Sequence, residues 1–347
     1  MTEPSTLDFV ARGSTRQVRI ATFNVESLDG PPRARESLEG RVRALRPQLI
    51  RLRADVLCLQ EVNGQMNAAG TERSLSALDA VLKDTPYEHY HRAVTKSPSG
   101  RGVRDRHNLV TLSRFPILST DEIWNHLVEA PLFRCTTSDP PQQSPMPVEW
   151  DRPFLYADLD LGNGAKMIVV NVHLRAPRAA YVAGQKRDSH SWKSMPGWAE
   201  GYFLATVKAA GQALEVRTFL DRLFDMDPDA LAAVMGDFNS DDTQAPVRII
   251  KGDEEDTGDG ALAPRMLVAA ERGLPESQRF SIIHRGRPHM ADHILVSAQL
   301  LSWLGHVECH NEALHDEVGS PAAVSDAPES YHAPVVAELE RPDEGPD

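Results

Sequence analysis

The chain has 347 residues, of which 41% are apolar and 25% charged, ordinary proportions for a water-soluble globular protein. Its length allows one large domain or two small ones, at about 150 residues per domain. The formal net charge of −13 is the wrong sign for a protein that holds nucleic acid by non-specific phosphate neutralisation, although acid runs such as Asp253-Glu254-Glu255-Asp256 and the tail Glu338 to Asp347 can lie far from any site.

Residues 1–17 read as a flexible lead and Val18 to Val25 as a strand. A Gly-Pro-Pro turn follows at 30–32. Leu38, Val42, Leu45, Leu49 and Leu52 recur at three- and four-residue spacing, which predicts an amphipathic helix over 34–53. Pro47 should kink or divide it, and Arg41, Arg43, Arg46, Arg51 and Arg53 are expected on its solvent face. Val56 to Val62 is the next strand. A helix is expected over 73–83, with Leu75, Leu78 and Leu82 on one face. Strands are expected at 107–115, 155–161 and 166–174. The last two meet at Asn163-Gly164, a strong hairpin signal. Residues 136–150 form a Pro-rich loop. Residues 175–200 read as a long polar loop carrying Tyr181, Trp192 and Trp198. Then come a helix over 201–224, a strand ending before Asp237, an acidic Gly-rich loop at 252–260 and a helix near 262–272. Strands at 291–297, 303–309 and 333–339 close the chain. There is no internal repeat. Buried-looking strands mixed with helices and a hairpin predict two packed sheets covered by helices, as one domain over 18–340 with an acidic tail at 341–347.

Cys58, Cys135 and Cys309 lack metal-ligand spacing. So sparse and odd a count suggests a reducing compartment. The first sixteen residues hold no apolar stretch of signal-peptide length, and no run approaches the ~20 apolar residues of a membrane span. A cytoplasmic protein without a membrane partner is expected.

Six apolar runs end in residues that can do chemistry. They close on Asn24, Glu61, His173, the pair Asp237 and Asn239, Asp292, and His332. A carboxylate after Val56 to Gln60 sits at the rim of a core, where it can ligate magnesium or pair with an arginine. Asn24 adds an oxygen and N–H donors without charge. Gly236 permits a tight strand exit, and Asp237 and Asn239, two residues apart, point the same way. Asp237 can take a proton from water and Asn239 can bind a non-bridging oxygen. His173 has an imidazole whose pKa suits proton transfer near neutrality, although a buried structural histidine reads the same. A carboxylate such as Asp292 on one nitrogen of His332 would fix its tautomer and raise its basicity. Strand alternation sends His293 to the face opposite Asp292, as a structural residue.

Taken in order, these segments resemble the endonuclease/exonuclease/phosphatase superfamily, the DNase I-like fold, over roughly residues 18–340. The resemblance implies an α/β (α+β) four-layer α/β/β/α sandwich of two mixed sheets, with the site at one edge of both. It also implies a phosphoester hydrolase using Mg2+ or Mn2+. Glu61 would be the principal metal ligand with Asn24 beside it, and His173 and Asn239 would stabilise phosphate oxygens. Asp237 and the Asp292–His332 pair would orient and deprotonate water, with either Asp237 or His332 as general base. Arg114, in Ser113-Arg114-Phe115-Pro116, also matches a family signature. Its first reading is a structural or loop-anchoring role; with Arg175 and Trp192 it is also a candidate substrate contact, although Trp192 equally reads as a pin holding its loop to the core. One departure stands out: the family has Asp where this chain has Tyr331. Either Asp326 folds back into that place, or an accessory metal carboxylate has been lost, which leaves one or two metals open. A nuclease is the first functional expectation, with nucleic acid as substrate. A lipid or small-molecule phosphoesterase is the alternative, and an inactive phosphate-binding homologue a third.

Overall fold

The computed structural model describes residues 16–30, 37–317 and 328–342. Numbering the long strands only, the first sheet holds β1 (Gln17–Leu28), β2 (Val56–Val62), β3 (His91–Val94), β4 (Asn108–Ser113), β11 (Leu304–Cys309) and β12 (Val335–Glu340). Their order across the sheet is β11-β12-β1-β2-β4-β3. The second sheet holds β5 (Ile117–Ile123), β6 (Phe154–Gly162), β7 (Ala165–His173), β8 (Ala232–Asp237), β9 (Leu267–Ala269) and β10 (Asp292–Ser297), in the order β9-β10-β8-β7-β6-β5. Each sheet has one parallel pair at its centre, β1 with β2 and β7 with β8. The other neighbours are antiparallel.

The central strands are apolar on both faces because both faces are covered. Within β2, Cys58 joins Ile20 and Leu109 against Val169, Met235 and Ile294 of the second sheet. Leu57 and Leu59 face outward onto Leu45, Leu49 and Leu78, which belong to α1 (Leu38–Leu52) and α2 (Ser76–Leu82). On the far side, Val170, Val172 and Val234 pack under Val216 and Leu220 of α3 (Met195–Met226) and Val247 and Ile250 of α4 (Ala245–Lys251). Helix, sheet, sheet and helix therefore form the four-layer sandwich.

A polar bridge joins the two sheets inside this core. Gln60 Nε2 donates to Asn171 Oδ1 (2.8 Å), and Asn171 Nδ2 donates to the carbonyls of Leu59 (3.3 Å) and Val110 (3.1 Å). Both side chains are fully buried.

Several expectations change. Gln17 already belongs to β1; residues 1–15 and 343–347 lie outside the described residues, as do Asp326 and, past Gly30, the expected Gly-Pro-Pro turn. Helix α1 runs unbroken through Pro47. Arg41 is not on its solvent face. It is buried, and it donates to the carbonyls of Val25, Glu26 (3.0 Å), Pro328 (2.8 Å) and Glu329 (3.0 Å). The helix expected over 73–83 is only Ser76–Leu82. The helix expected at 262–272 is a 3-10 turn (Gly260–Arg265), the edge strand β9 and a second 3-10 turn (Ala270–Gly273), because Pro264 breaks the periodicity and Leu267 pairs with Ser297. Strands β3 and β5 were not expected. Helix α3 starts six residues early, at Met195: Ser194 caps it by accepting from Gly197 N (3.1 Å), and Pro196 lies in its first turn. Trp198 is therefore helical.

Two buried glutamates of α3 hold the long β5–β6 connection. Glu215 accepts the backbone N–H groups of Asn125, His126 and Leu127, and Glu200 those of Thr136 and Thr137. Among the described residues, no helix is long and apolar enough to cross a membrane.

Candidate active site

Register places the functional side chains at one end of the sandwich. His173 ends β7 and pairs across to Asp237 at the end of β8. Asp237 in turn faces Asp292 at the start of the antiparallel β10. In the first sheet, Asn24 of β1 lies beside Gln60, Glu61 follows, and His332 comes just before β12, whose Val335 faces Thr22. Parallel strands deliver their C-terminal ends, and antiparallel neighbours their N-terminal ends, to the same edge.

Local backbone distortion aims several of these residues. The pairing of β2 with β4 shifts register between Leu59 and Val62, a bulge of the kind that redirects a side chain. Glu61 takes a left-handed conformation there (φ 61°), as do Asn239 (φ 50°) and His107 (φ 54°). Such conformations cost roughly 1–2 kcal/mol for most residues, and they cluster where function over-determines the backbone. Gly236, at φ 151°, approaches so closely that an added Cβ would lie 1.9 Å from the Val172 carbonyl oxygen. Only glycine allows that strand exit.

The carboxylate of Asp237 is fully engaged. Asn24 Nδ2 donates to Oδ2 (3.0 Å), Asn239 N donates to Oδ1 (2.8 Å), and Asn239 Nδ2 donates to Oδ2 (3.0 Å). His173 Nε2 lies 3.3 Å away. Burial pushes the Asp237 carboxyl up to about 7; the neighbouring His332 opposes this, and Asp292 and Glu61 add to it. The Asn239 amide also donates to Leu174 O (3.2 Å), so both its hydrogens are used in holding this turn.

His332 Nδ1 and Asp292 Oδ2 are 2.7 Å apart. Burial opposes the imidazolium, but Asp292 and then Asp237 raise the pKa of His332 to about 10. The ring is thus a cation near neutrality. Ser330 Oγ steadies its segment, accepting from His332 N (3.1 Å) and donating to Asn24 O (2.7 Å).

Glu61 Oε2 accepts from Ser27 N (3.0 Å) and Ser27 Oγ (3.1 Å). Burial alone would raise its pKa, but His107, His332, Arg152 and Ser27 together hold the carboxyl below the ordinary range. His173 is neutral, because burial pushes it well down and Arg152, His107 and His332 add to that. His293 turns away from the site as alternation requires, binding Glu271 and Ser240 O (2.8 Å).

Two sets of ligand-type side chains converge here: Glu61, His107 and His173, and Asp237, Asp292 and His332. In each set the ligand atoms lie within 4.8 Å of one another. An ionised, pre-aimed Glu61 and a buried His107 Nδ1 without a hydrogen-bond partner suit a divalent cation.

Three expected substrate contacts fare differently. Arg175 flanks the site, its guanidinium held by Asp151 (2.6 Å) and Arg178 O (3.2 Å). Arg114 pairs with Asp55 (2.8 Å), at the start of β2, whereas Glu61 lies near its other end, about 20 Å away at 3.3 Å per residue, which fits the anchoring role rather than a substrate contact. Trp192 packs against Gly201 in a satellite cluster with Ala180, Val182 and Leu204, and Lys186 Nζ lies 4.2 Å from its ring centroid. These contacts fit the pin reading, and none of them is with the cluster at the strand ends.

The model of the Endonuclease/Exonuclease/phosphatase family matches residues 21–326. The chain belongs to that family. Solved structures with the same fold include truncated TDP2 from Caenorhabditis elegans, 16% identical, covering 93% of this chain and 97% of that one at a TM-score of 0.53. A Bacteroides thetaiotaomicron member of the family is likewise 16% identical, with 93% and 94% covered and a TM-score of 0.53. A Leptotrichia buccalis member is also 16% identical, with 93% and 99% covered and a TM-score of 0.53. No curated protein matches the sequence.

Within this family member, sequence reasoning missed three site residues. Arg152 stands electrostatically beside Glu61 and Asp237, and its Nη1 is buried with no hydrogen-bond partner. Leu155 stands opposite Asn171 because the pairing shifts register between Asp160 and Gly162, and this brings Arg152 beside His173; unbroken counting from Asn163-Gly164 misses by one residue. His107 faces the end of β2, since Val62 pairs with Asn108. Glu26 accepts from Tyr331 N (2.9 Å), and burial raises its carboxyl. Tyr331 itself is buried.

Proposed function

We propose that this chain is a metal-dependent phosphodiester hydrolase acting on nucleic acid. The observation that carries the hydrolase reading is the convergence at one edge of Glu61, Asp237 and the His332–Asp292 pair, Nδ1 and Oδ2 2.7 Å apart, where burial raises the Asp237 carboxyl to about 7 and Asp292 raises His332 to about 10. A pKa near the working pH is what a general base needs. Of the two candidate bases, Asp237 therefore fits best, and it draws the proton from the attacking water. His332, unable to accept a further proton, stabilises negative charge on the phosphate oxygens. Arg152 offers its unpartnered Nη1 to a non-bridging oxygen. Asn24 and Asn239 fix the direction of the Asp237 carboxylate. When bound, Mg2+ or Mn2+ at Glu61 and Asn24 would polarise the phosphate and offset the leaving oxygen's charge.

Local charge supports a polyanionic substrate despite the overall −13. Residues 175–208 hold six Lys or Arg against two carboxylates; Asp151 pairs with Arg175 and Lys208 and Glu317 with Arg178, which leaves Lys186, Arg187 and Lys193 as the excess. Lys96, Arg101, Arg104 and Arg106 lie on the loop leading into His107, which is tied to the exit of β2 by Gly64 N to Asp105 O (3.0 Å). One observation favours a lipid or small phosphoester instead. Met195, Trp198 and Phe203 on α3, with Leu132 and Met146, are exposed apolar side chains.

Hydrolysis with Mg2+ or Mn2+ of single- and double-stranded DNA, RNA, bis-p-nitrophenyl phosphate, sphingomyelin and an inositol polyphosphate tests both readings, with Glu61→Ala beside the wild type. Cleavage of a nucleic acid that Glu61→Ala loses is expected. Cleavage of only the lipid or the small phosphates would move the function to the second reading, and inactivity on every substrate would count against a hydrolase.

A further inference from the structure

His107 has an unexplained geometry. Its backbone is held left-handed (φ 54°), and its N–H donates to Asn63 Oδ1 (3.0 Å). The side chain is thereby turned into the site, where its ring meets His173 edge-on with centroids 5.9 Å apart. Yet among the described residues Nδ1 is buried and hydrogen-bonded to nothing. The nearest carboxylate oxygen, Glu61 Oε2, is 3.7 Å away, too far for a hydrogen bond. His173 Nε2 lies 3.6 Å from the other Glu61 oxygen, Oε1, and 3.3 Å from Asp237 Oδ2.

Those separations have a chemical meaning. Two donors sharing a tetrahedral ion at bonds of 2.0–2.1 Å lie about 3.4 Å apart. Adjacent donors on octahedral magnesium lie about 2.9 Å apart. The separations here run to the two different oxygens of Glu61 and exceed both values, so the ligands must draw in around any ion. The donor types choose between the ions, because imidazole suits borderline transition metals whereas magnesium takes oxygen ligands and keeps its waters.

We propose that Glu61, His107 and His173 form a metal site with two imidazole ligands, which binds a borderline divalent ion such as Zn2+, Co2+ or Mn2+ in preference to Mg2+. The proposal rests on the hydrolase reading only in sharing Glu61. It assigns the nitrogen ligands and the class of ion, which that reading leaves open.

The test uses the full chain and the metals alone. Electron spin-echo modulation of the Mn2+-loaded protein should show 14N coupling from directly bound imidazole. The coupling should weaken in His107→Asn and in His173→Gln. Asparagine accepts left-handed backbone readily, so His107→Asn keeps the local fold. Co2+ should bind at least about tenfold more tightly than Mg2+ by calorimetry, and the margin should shrink in His107→Asn, as loss of a metal-site group costs about 10–100-fold in affinity. Mn2+ bound without 14N coupling would overturn the proposal. So would coupling unchanged in both variants, equal affinity for Co2+ and Mg2+, or no binding. Hydrolysis of bis-p-nitrophenyl phosphate is measured in parallel. Hydrolysis without nitrogen coupling sinks this site and leaves the hydrolase reading standing, while nitrogen coupling without any hydrolysis does the reverse.

Discussion

Replacing Arg152 with methionine should separate activity from stability. Arg152 Nη1 is buried and unbonded. Burial lowers the guanidinium's pKa more than Glu61, Asp237 and Asp151 raise it. A lowered pKa means the folded state disfavours the cation relative to the unfolded chain, so removing the charge removes a net cost. Methionine keeps the apolar stem. The metal-free protein should therefore be as stable as the wild type, or more stable by up to about 1 kcal/mol. Activity should move the other way. One lost charge-assisted hydrogen bond to a phosphate oxygen is worth about 1.5–3 kcal/mol, which is roughly 10- to 100-fold in kcat/KM. Arg152→Lys should fall between, since it restores charge without the planar fork. The assays are kcat/KM on bis-p-nitrophenyl phosphate and urea unfolding of the metal-free protein. A stability loss above ~2 kcal/mol with an activity loss under about threefold would refute the reasoning and make Arg152 structural.

Glu61→Ala should lower turnover by at least about a thousandfold without unfolding the chain, checked by circular dichroism. The pH profile of kcat/KM should rise through about 7, because Asp237 acts as its ionised form and its raised pKa confines that form to higher pH; Asp237→Asn should lose the limb along with the activity, and a wild-type limb near 4 would contradict the assignment. Asn171→Leu should cost about 3 kcal/mol in urea unfolding, since it strips Gln60, Leu59 and Val110 of buried partners. Trp192→Ala should reduce turnover of nucleic acid and of bis-p-nitrophenyl phosphate by the same factor; a loss confined to nucleic acid would show the ring reaching substrate.

The sandwich and the residues at its edge were legible because each lies at the end of an apolar run. A buried strand must finish at a rim, so a polar residue there reads as a site residue whatever its partners. Arg152 and His107 were hidden because they lie just ahead of their strands and no apolar run leads up to them. The register of the folded sheets exposes them, β6 against β7 past a shift near the hairpin and β4 against the end of β2. Arg41 and Pro47 misled for a related reason. Periodicity marks which face of a helix is apolar, but not that a long guanidinium can reach over a neighbouring loop. The start of α3 was misplaced by reading polarity as loop, when Ser194 and Pro196 spelled a helix start. Arg114 matched a family motif, and its pairing with Asp55 fits the anchoring role read for it, since it fastens the far end of β2.

The candidate site is built across the seam between two sheets, so the distance between them sets its geometry. Asn24 and His332 belong to the first sheet, and their partners Asp237 and Asp292 to the second. Neither pair forms unless the sheets sit at the right separation. Apolar packing tolerates small slips, because one methyl contact replaces another at little cost. A hydrogen bond does not, and the buried Gln60–Asn171 bond lies one residue before Glu61 and two before His173. It fixes separation and register directly below the edge where both sheets present their chemistry. Apolar packing makes the sandwich stable, whereas this polar bridge makes its edge specific. A change that loosens the bridge should reach the Asp237–Asn24 and His332–Asp292 bonds before it reaches the fold.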